Sequence, residues 1–371
     1  MKDPLDYTED ELKAMSKQDL ELLIKTAKAK EALFDTEQLA LKIMMNALYG
    51  AMANKYFPLF NEQMAAAITG NGRYFIQKLA KYIEKTLQDM HKSEKPYLIY
   101  GDTDSVYYHI EPFMNMYIAK NPDLAIDDYV DWADSFEKKV IQPTIEQTIT
   151  DFAEELNAYN KDKIGAEREI ISDAAVFTAK KKYYARVRDS EGTRFPADMP
   201  KIKVMGLEIA KSSTPVWAKE KLKQAIPHIL DKDEIDLRNW VKSIKQEFIK
   251  QNLNDIAQSG SVSNLSYKLT DKGLPIGSRA ALIHNKYIED NNLTNIYTPI
   301  QAGDKCKRLF LIEPNKFGSN ITAFTNDSFI KEIDCIDYDT NFEKGFMKPL
   351  SLMVNVMNYD LEKETENVDD W

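Results

Sequence analysis

The stretch Tyr100-Gly101-Asp102-Thr103-Asp104-Ser105 decides how this chain is read. It lies between two short aromatic and β-branched runs, Tyr97-Leu98-Ile99-Tyr100 and Val106-Tyr107-Tyr108-His109-Ile110. That pattern predicts a β-hairpin with a polar turn. Asp102 and Asp104 stand at i and i+2 of the turn, where two ionised carboxylates repel each other. A divalent cation removes the repulsion, and carboxylate oxygens suit the hard, octahedral Mg²⁺. Asp and Ser are also ordinary turn residues, so the segment alone reads equally as a solvated turn. An EF-hand does not fit, because Val106 and Tyr107 stand where a further oxygen ligand and a glycine are needed.

Upstream the period is helical. From Glu9 to Ala53 the apolar positions predict two long helices, and a further helix is expected from about Met64 to Met90. In Leu41-Lys42-Ile43-Met44-Met45-Asn46-Ala47-Leu48-Tyr49-Gly50, the residues Lys42, Asn46 and Tyr49 fall at i, i+4 and i+7. They share one helix face, mostly apart from Leu41, Met44, Met45, Leu48 and Met52. A lysine with an amide one turn along can hold a triphosphate, and Tyr49-Gly50 allows close approach to a base pair. The same stripe is also what an ordinary solvated helix face looks like.

Downstream, helix is expected from about Ile126 to Ala158. Strands are expected at Glu169-Ile170-Ile171, at Ala175-Val176-Phe177 and from Tyr183 to Val187, with a turn at Asp189-Ser190-Glu191-Gly192. In Lys181-Lys182-Tyr183-Tyr184, alternation sends Lys182 and Tyr184 to one face, a cation for phosphate and a phenol for a sugar or base edge; the alternative is a solvated basic edge strand. Glu169 on a strand is by itself unremarkable. Thr214 as N-cap and Pro215 as first helical residue predict a helix from Val216 to Leu230, with a boundary nearby, and Gln251 to Ser266 reads as loop.

Composition sets limits. The net charge of −10, from 49 Lys and Arg against 59 Asp and Glu, argues mildly against nonspecific nucleic-acid binding. Yet basic residues gather between Lys180 and Arg188, while acid gathers from Asp123 to Asp134 and from Asp360 to Trp371. Two cysteines, Cys306 and Cys335, do not make a disulfide framework and lack metal-ligand spacing, which favours a reducing, cytoplasmic setting. No signal peptide and no apolar run of about 18 residues is seen.

Two known families place acidic pairs in this way. The apolar strand followed by Asp-x-Asp resembles haloacid dehalogenase-type phosphatases, in which Asp102 would be the nucleophile and Asp104 the general acid or base. Taken together and in order, however, the segments resemble the family B DNA polymerases, most closely those of T-even phages. Lys42 to Gly50 looks like motif B, so the resemblance implies that Lys42 and Asn46 bind the incoming triphosphate while Tyr49 and Gly50 check the nascent pair. Tyr100 to Ser105 looks like motif C, which makes Asp104 a ligand of two catalytic Mg²⁺ ions with Asp102 in support. Arg168-Glu169 resembles a palm segment beside the triphosphate, adding Glu169 to the metal site. Lys181, Lys182 and Tyr184 resemble the Lys-x-Tyr motif that holds the primer, and Gly206-Leu207-Glu208 with Lys211 to Pro215 resembles the start of the thumb.

The implied fold is α+β. Residues 1–54 form a helical fingers segment, residues 55–211 a palm with an antiparallel sheet and helices, and residues 212–371 a mostly helical thumb with an acidic tail. The resemblance also implies template-directed DNA synthesis on a primer-template from dNTPs. The family's motif A aspartate, exonuclease domain and second fingers helix have no counterpart here. The expectation is therefore a partner chain that supplies them, with this chain inactive alone and either a separate gene product, the favoured reading, or a fragment of a longer one. A non-catalytic DNA-binding accessory subunit is the reading from another class. A sliding clamp is a further candidate partner, through Val368 and Trp371, although a frayed terminus is the favoured reading of the same residues.

Overall fold

The computed structural model describes residues 2–160 and 163–361. It divides the chain into two compact units: residues up to Ile110 together with Pro143–Gly165, and Glu111–Gln142 together with Ala166 onward. The expected fingers segment, 1–54, lies in the first unit and the expected thumb from 212 in the second, while residues 55–211 contribute to both. The clamp candidates Val368 and Trp371 lie outside the described residues.

The first unit opens with α1 (Glu9–Ala14), closed at its start by a capping box between Thr8 and Glu11. Two long helices were expected before Ala53, but the structure has this short helix and then one of 36 residues, α2 (Lys17–Met52). The break falls where Ser16 Oγ accepts from the backbone N–H of Asp19 and starts a new helix, and no proline or cap interrupts the run that follows. Next comes α3 (Glu62–His91), capped by Asn61 and ended by Lys92 in the left-handed region. The hairpin follows as β1 (Leu98–Asp102) and β2 (Ser105–Tyr108), paired antiparallel.

The second unit begins with α4 (Glu111–Ile118) and α5 (Ile126–Phe136), to which a π turn, Glu137–Ile141, is appended. From Pro143 the helix α6 (Gln142–Glu155) belongs to the first unit and packs on α3. There Tyr82 donates to Asp151 at 2.9 Å, Lys78 pairs with Glu155 at 2.7 Å, and Phe75 meets Phe152 edge-on with centroids 5.2 Å apart. Leu79, Ile83, Leu87 and Phe152 are buried and form this unit's core.

In the second unit a four-stranded antiparallel sheet comprises β3 (Ile170–Ala179), β4 (Lys182–Ser190), β5 (Thr193–Arg194) and β6 (Lys201–Met205). β4 is its centre, pairing with β3, β5 and β6, so the edge-strand alternative fails. The basic strip expected along it also divides. Arg186 and Arg188 are tied to Asp173 at 2.9 and 2.8 Å, and Arg186 also to Asp231 at 2.6 Å, while the lysines occupy the turn between β3 and β4. Burial raises the Asp173 carboxyl, but the two guanidinium groups outweigh it and hold the pKa below the usual carboxylate value.

The remainder packs as α7 (Val216–Asp231), α8 (Glu234–Phe248), α9 (Leu253–Ile256), β7 (Gln258–Ser261), α10 (Ile276–Asp290), β8 (Lys305–Phe310), β9 (Ile321–Phe324), α11 (Tyr338–Phe342) and α12 (Lys348–Val354). Trp217, Phe248, Phe342 and Phe346 make an aromatic cluster with centroids 4.9 to 6.1 Å apart. Two local expectations are corrected. Thr214 does not cap α7: its hydroxyl donates to the Glu208 carbonyl at 2.7 Å, and Pro215 occupies the N-cap position. The segment from Gln251 to Ser266 is not all loop, since it holds α9 and β7, and β7 opens a three-stranded antiparallel sheet with β8 and β9. Among the described residues no helix is long and apolar enough to cross a membrane.

Gly206 joins β6 to the chain beyond it at φ +65°, and a Cβ there would sit 2.0 Å from the Lys181 carbonyl oxygen. Gly206→Ala is expected to lose more than about 1–2 kcal/mol in urea unfolding, because a steric clash adds to the left-handed backbone cost. Gly192→Ala, at φ +87° with nothing within 4 Å, should lose less. An equal loss in both would remove the close-approach argument.

The lowered Asp173 pKa adds stability that is complete above the ordinary carboxylate range and lost as pH falls through the folded-state value. Unfolding midpoints measured down through pH about 4 should therefore drop more steeply in the wild type than in Asp173→Asn.

Candidate active site

The turn of the hairpin is two residues long. Thr103 takes φ +53° and Asp102 pairs with Ser105, so Asp104 is carried to the tip, where it is exposed, while Asp102 is half-buried. Three short contacts set the turn. The Asp104 N–H donates to the Asp102 carbonyl at 2.6 Å, Ser105 Oγ to the same carbonyl at 3.1 Å, and Thr103 Oγ1 to Asp102 Oδ1 at 3.1 Å. The serine and threonine thus fix the backbone and one carboxylate, and Asp104 points outward from a closed turn.

The base of the hairpin is anchored to α3. Glu84 accepts from the backbone N–H of Tyr97 at 3.0 and 3.1 Å and from that of Leu98 at 2.7 Å. Tyr97 is 1% exposed, hydrogen-bonds through its hydroxyl to His91 Nδ1, and stacks on His109 with centroids 5.3 Å apart. Burial and the nearby Glu84 carboxylate push the Tyr97 phenol pKa up. Sequence reading did not find Glu84, because a single glutamate on an amphipathic helix carries no local signal of its acceptor role.

In the same unit, Lys42, Asn46, Tyr49 and Gly50 lie on α2, and all four are exposed. At about 100° per residue, Lys42, Asn46 and Tyr49 fall within an arc of about 60°. Nothing comes within 4 Å of a Cβ placed on Gly50, so its lack of side chain leaves open space rather than relieving a clash.

The second unit holds the other expected residues. Lys181 forms the turn between β3 and β4 at φ +63°, and Lys182 begins β4, half-buried. Tyr184 does not present its phenol as alternation predicted. It is fully buried, its hydroxyl donates to the Met353 carbonyl at 3.1 Å, and burial pushes its pKa far above the ordinary tyrosine value. Glu169 pairs with Lys203 at 2.6 Å in a cleft of about 220 Å³ that Lys201 also lines. Lys201 and Lys203 went unnoticed, although their i, i+2 spacing on a strand signals one basic face. Arg168 is engaged elsewhere, bridging Asp134 at 2.9 Å and Asp189 at 2.5 Å.

The donor set suits a hard cation in kind but is short in number. Asp102 and Asp104 offer carboxylate oxygens at an exposed turn, yet among the described residues no group of three or more His, Cys, Asp or Glu side chains converges to hold a metal ion. What the first unit can do chemically is present two carboxylates on a braced ribbon and, on a separate helix, a lysine, an amide and a phenol in one stripe.

Residues 11–120 match the profile of DNA polymerase family B, a span that includes both the α2 stripe and the hairpin. The DNA-directed DNA polymerase of Escherichia phage RB69 is 29% identical across 98% of this chain and 42% of its own length. That of Enterobacteria phage T4 is 29% identical across 96% of this chain and 41% of its own length. DNA polymerase 1 of Sulfolobus acidocaldarius is 36% identical over 21% of this chain and 8% of its own length. The chain thus spans about two fifths of the length of the phage relatives.

Replacing Glu84 by Ala would leave two backbone donors at the hairpin base without their acceptor, at a cost of about 1–3 kcal/mol. Hydrogen exchange at Tyr97 and Leu98 is expected to quicken at least about tenfold in Glu84→Ala, with α2 amides unaffected. Unchanged protection at both positions would rule out this anchor.

Proposed function

From a chain that belongs to the family B DNA polymerases, we propose template-directed DNA synthesis, in which a primer 3′-hydroxyl attacks the α-phosphate of a dNTP and pyrophosphate leaves. The observation that carries this reading is the exposed Asp104 at the tip of a braced hairpin, inside the same matched span as the Lys42–Gly50 stripe.

Asp104, with Asp102 in support, would hold Mg²⁺. Bound Mg²⁺ supplies activation of the attacking hydroxyl and charge neutralisation on the leaving pyrophosphate. The chain's own residues do the rest. Lys42 neutralises triphosphate charge as a point cation, Asn46 hydrogen-bonds to it one turn along, and Tyr49 with Gly50 meets the nascent base pair. Lys181 and Lys182 grip the primer backbone, a contact that positions DNA without reading its sequence. Tyr184 serves that grip from beneath, by pinning β4 to the Met353 carbonyl.

Two carboxylates on one hairpin are too few for two ions, so the reading includes a further aspartate from a polymerase segment that this chain does not span. We place the reaction in the cytoplasm, in keeping with two free cysteines. The haloacid dehalogenase-type alternative assigns no task to Lys42, Asn46 and Tyr49, and a non-catalytic accessory role assigns none to the exposed carboxylate.

Primer extension by the chain combined with the missing polymerase portion is expected, and Asp104→Asn should lower its rate at least about 10²-fold, the scale seen when a preorganised electrostatic stabiliser is removed. DNA affinity should change little, because the lysines that meet phosphate are untouched. Wild-type rates in that variant, or phosphate release from a simple phosphomonoester by the chain alone, would sink the polymerase assignment.

A further inference from the structure

The acidic run that begins at Asp123 has no task in the reading above. From Asn121 to Glu137 there are six acidic residues and no Lys or Arg. Asp134 is engaged by Arg168 at 2.9 Å and by Lys138 at 2.6 Å, and Asp131 meets Arg194 at 2.8 Å. Asp123, Asp127 and Asp128 are exposed, and among the described residues none of them pairs with a Lys or Arg. Such a surface repels nucleic acid and attracts cations.

Part of this run walls a cleft of about 480 Å³, lined entirely by residues between Tyr117 and Val140 of the second unit. α5 supplies Asp128, Asp131 and Trp132 at i, i+3 and i+4, within an arc of about 100°. The rings of Tyr117, Trp132 and Phe136 stand in a row. Trp132 lies 5.2 Å from each neighbour between centroids, at interplanar angles of 22° and 25°. Nearly parallel rings at that separation are offset, so part of each face is left uncovered. All three are half-buried. The lining ends on the π turn, where the Gln142 N–H donates to the Glu137 carbonyl and the helix widens as Lys139 and Val140 join the wall. Single π turns within helices recur at functional sites. On the same turn Glu137 is 8% exposed, and one of its carboxylate oxygens accepts no hydrogen bond within the chain.

We propose that this cleft binds an arginine side chain of a basic peptide segment, with the guanidinium over the exposed part of the Tyr117 and Trp132 rings and hydrogen-bonded to Asp128 and Asp131. Ring faces attract a cation, and a planar guanidinium both stacks on a ring and forks onto carboxylates, which an ammonium does not. The two aspartates have acceptor capacity left. A carboxylate offers about four acceptor positions; Asp128 uses one on the Ala125 N–H at 2.9 Å, and the Asp131 contact with Arg194 joins side chains 72% and 32% exposed, a pair that competes weakly in water. Lys139 is the one cation in the lining, against two carboxylates. The volume lies within the range of ligand sites and exceeds one guanidinium, which leaves room for the residues beside it in a segment. Charge selects the occupant: DNA and dNTPs are anionic, and an apolar partner would bury Asp128 and Asp131 without a counter-charge. The polymerase reading gives these residues no task, so the two stand or fall separately.

The test titrates the full chain, by calorimetry at low salt, with a blocked pentapeptide of alternating glycine and arginine and with its lysine and citrulline counterparts. The arginine peptide should bind 1:1, at least about threefold tighter than the lysine peptide and about tenfold tighter than the neutral citrulline one. Trp132→Ala, and Asp128→Asn combined with Asp131→Asn, should each weaken it at least about fivefold, while Trp132→Phe, which keeps a ring, should weaken it less. Lys139→Ala should tighten it about twofold, because a like charge leaves the wall. Asp123→Asn, in the same acidic run but outside the lining, should leave affinity within about 1.5-fold, as a screened exposed charge does. Circular dichroism checks that the variants fold, and the Asp and Lys139 variants, whose side chains are exposed, decide the matter if Trp132→Ala does not. No binding, or equal losses in Asp123→Asn and the paired variant, would overturn the cleft assignment. Arginine amide binding as tightly as the peptide would make it a small-molecule site, and displacement of the peptide by primer-template DNA or by the missing polymerase portion would give the cleft another occupant; each of these also overturns the proposal.

Discussion

A two-stranded ribbon is at best marginally stable in water, so a hairpin that holds carboxylates in the open needs an external brace. Here the brace is Glu84, whose carboxylate takes the backbone N–H groups of both Tyr97 and Leu98 just where the chain enters β1. Everything beyond that point inherits its position. Tyr97 locks the entry through His91 and His109, pairing carries the register to Asp102 and Ser105, and the positive φ of Thr103 closes the turn beneath Asp104. The brace at the base leaves the tip alone: Glu84, His91 and His109 all lie outside the turn.

The second unit solves a different problem, which is how to keep lysines at the surface of a sheet whose centre is buried. β4 is covered along most of its length, and both Tyr183 and Tyr184 are buried. Its arginines are paired to Asp173 and Asp231, so positive charge on the strand is compensated where it is partly buried, while Lys180 and Lys181 stand exposed at the turn. Gly206 then lets β6 approach the Lys181 carbonyl more closely than any side chain would permit. A strand, its ion pairs and one glycine together set where the lysines emerge.

These features were unequally visible in the sequence. The hairpin was legible because its determinants are local: two short β-branched runs around turn residues. The stripe on α2 was legible because helical spacing alone puts Lys42, Asn46 and Tyr49 together. Tyr184 was misplaced because alternation holds only for a strand with one face in solvent, and β4 is flanked on both edges and packed against α12 through Met353. β7 was missed because Gln258-Ser259-Gly260-Ser261 has no strand propensity, and its extended form comes from pairing with β8. Glu84 and Lys203 act through residues distant in the chain, and no single-sequence pattern reports such partners.

The long helix α2 is held differently. Of its 36 residues a single side chain, Leu23, is buried, so it gains little from packing within its own unit. Most helical stability in proteins comes from tertiary burial of an apolar face, so this helix leans on local terms: the Ser16 cap at its start and a run free of proline. The arc of Lys42, Asn46 and Tyr49 is thus set by helix geometry alone, whereas the hairpin that carries Asp102 and Asp104 is set by contacts that reach from Glu84.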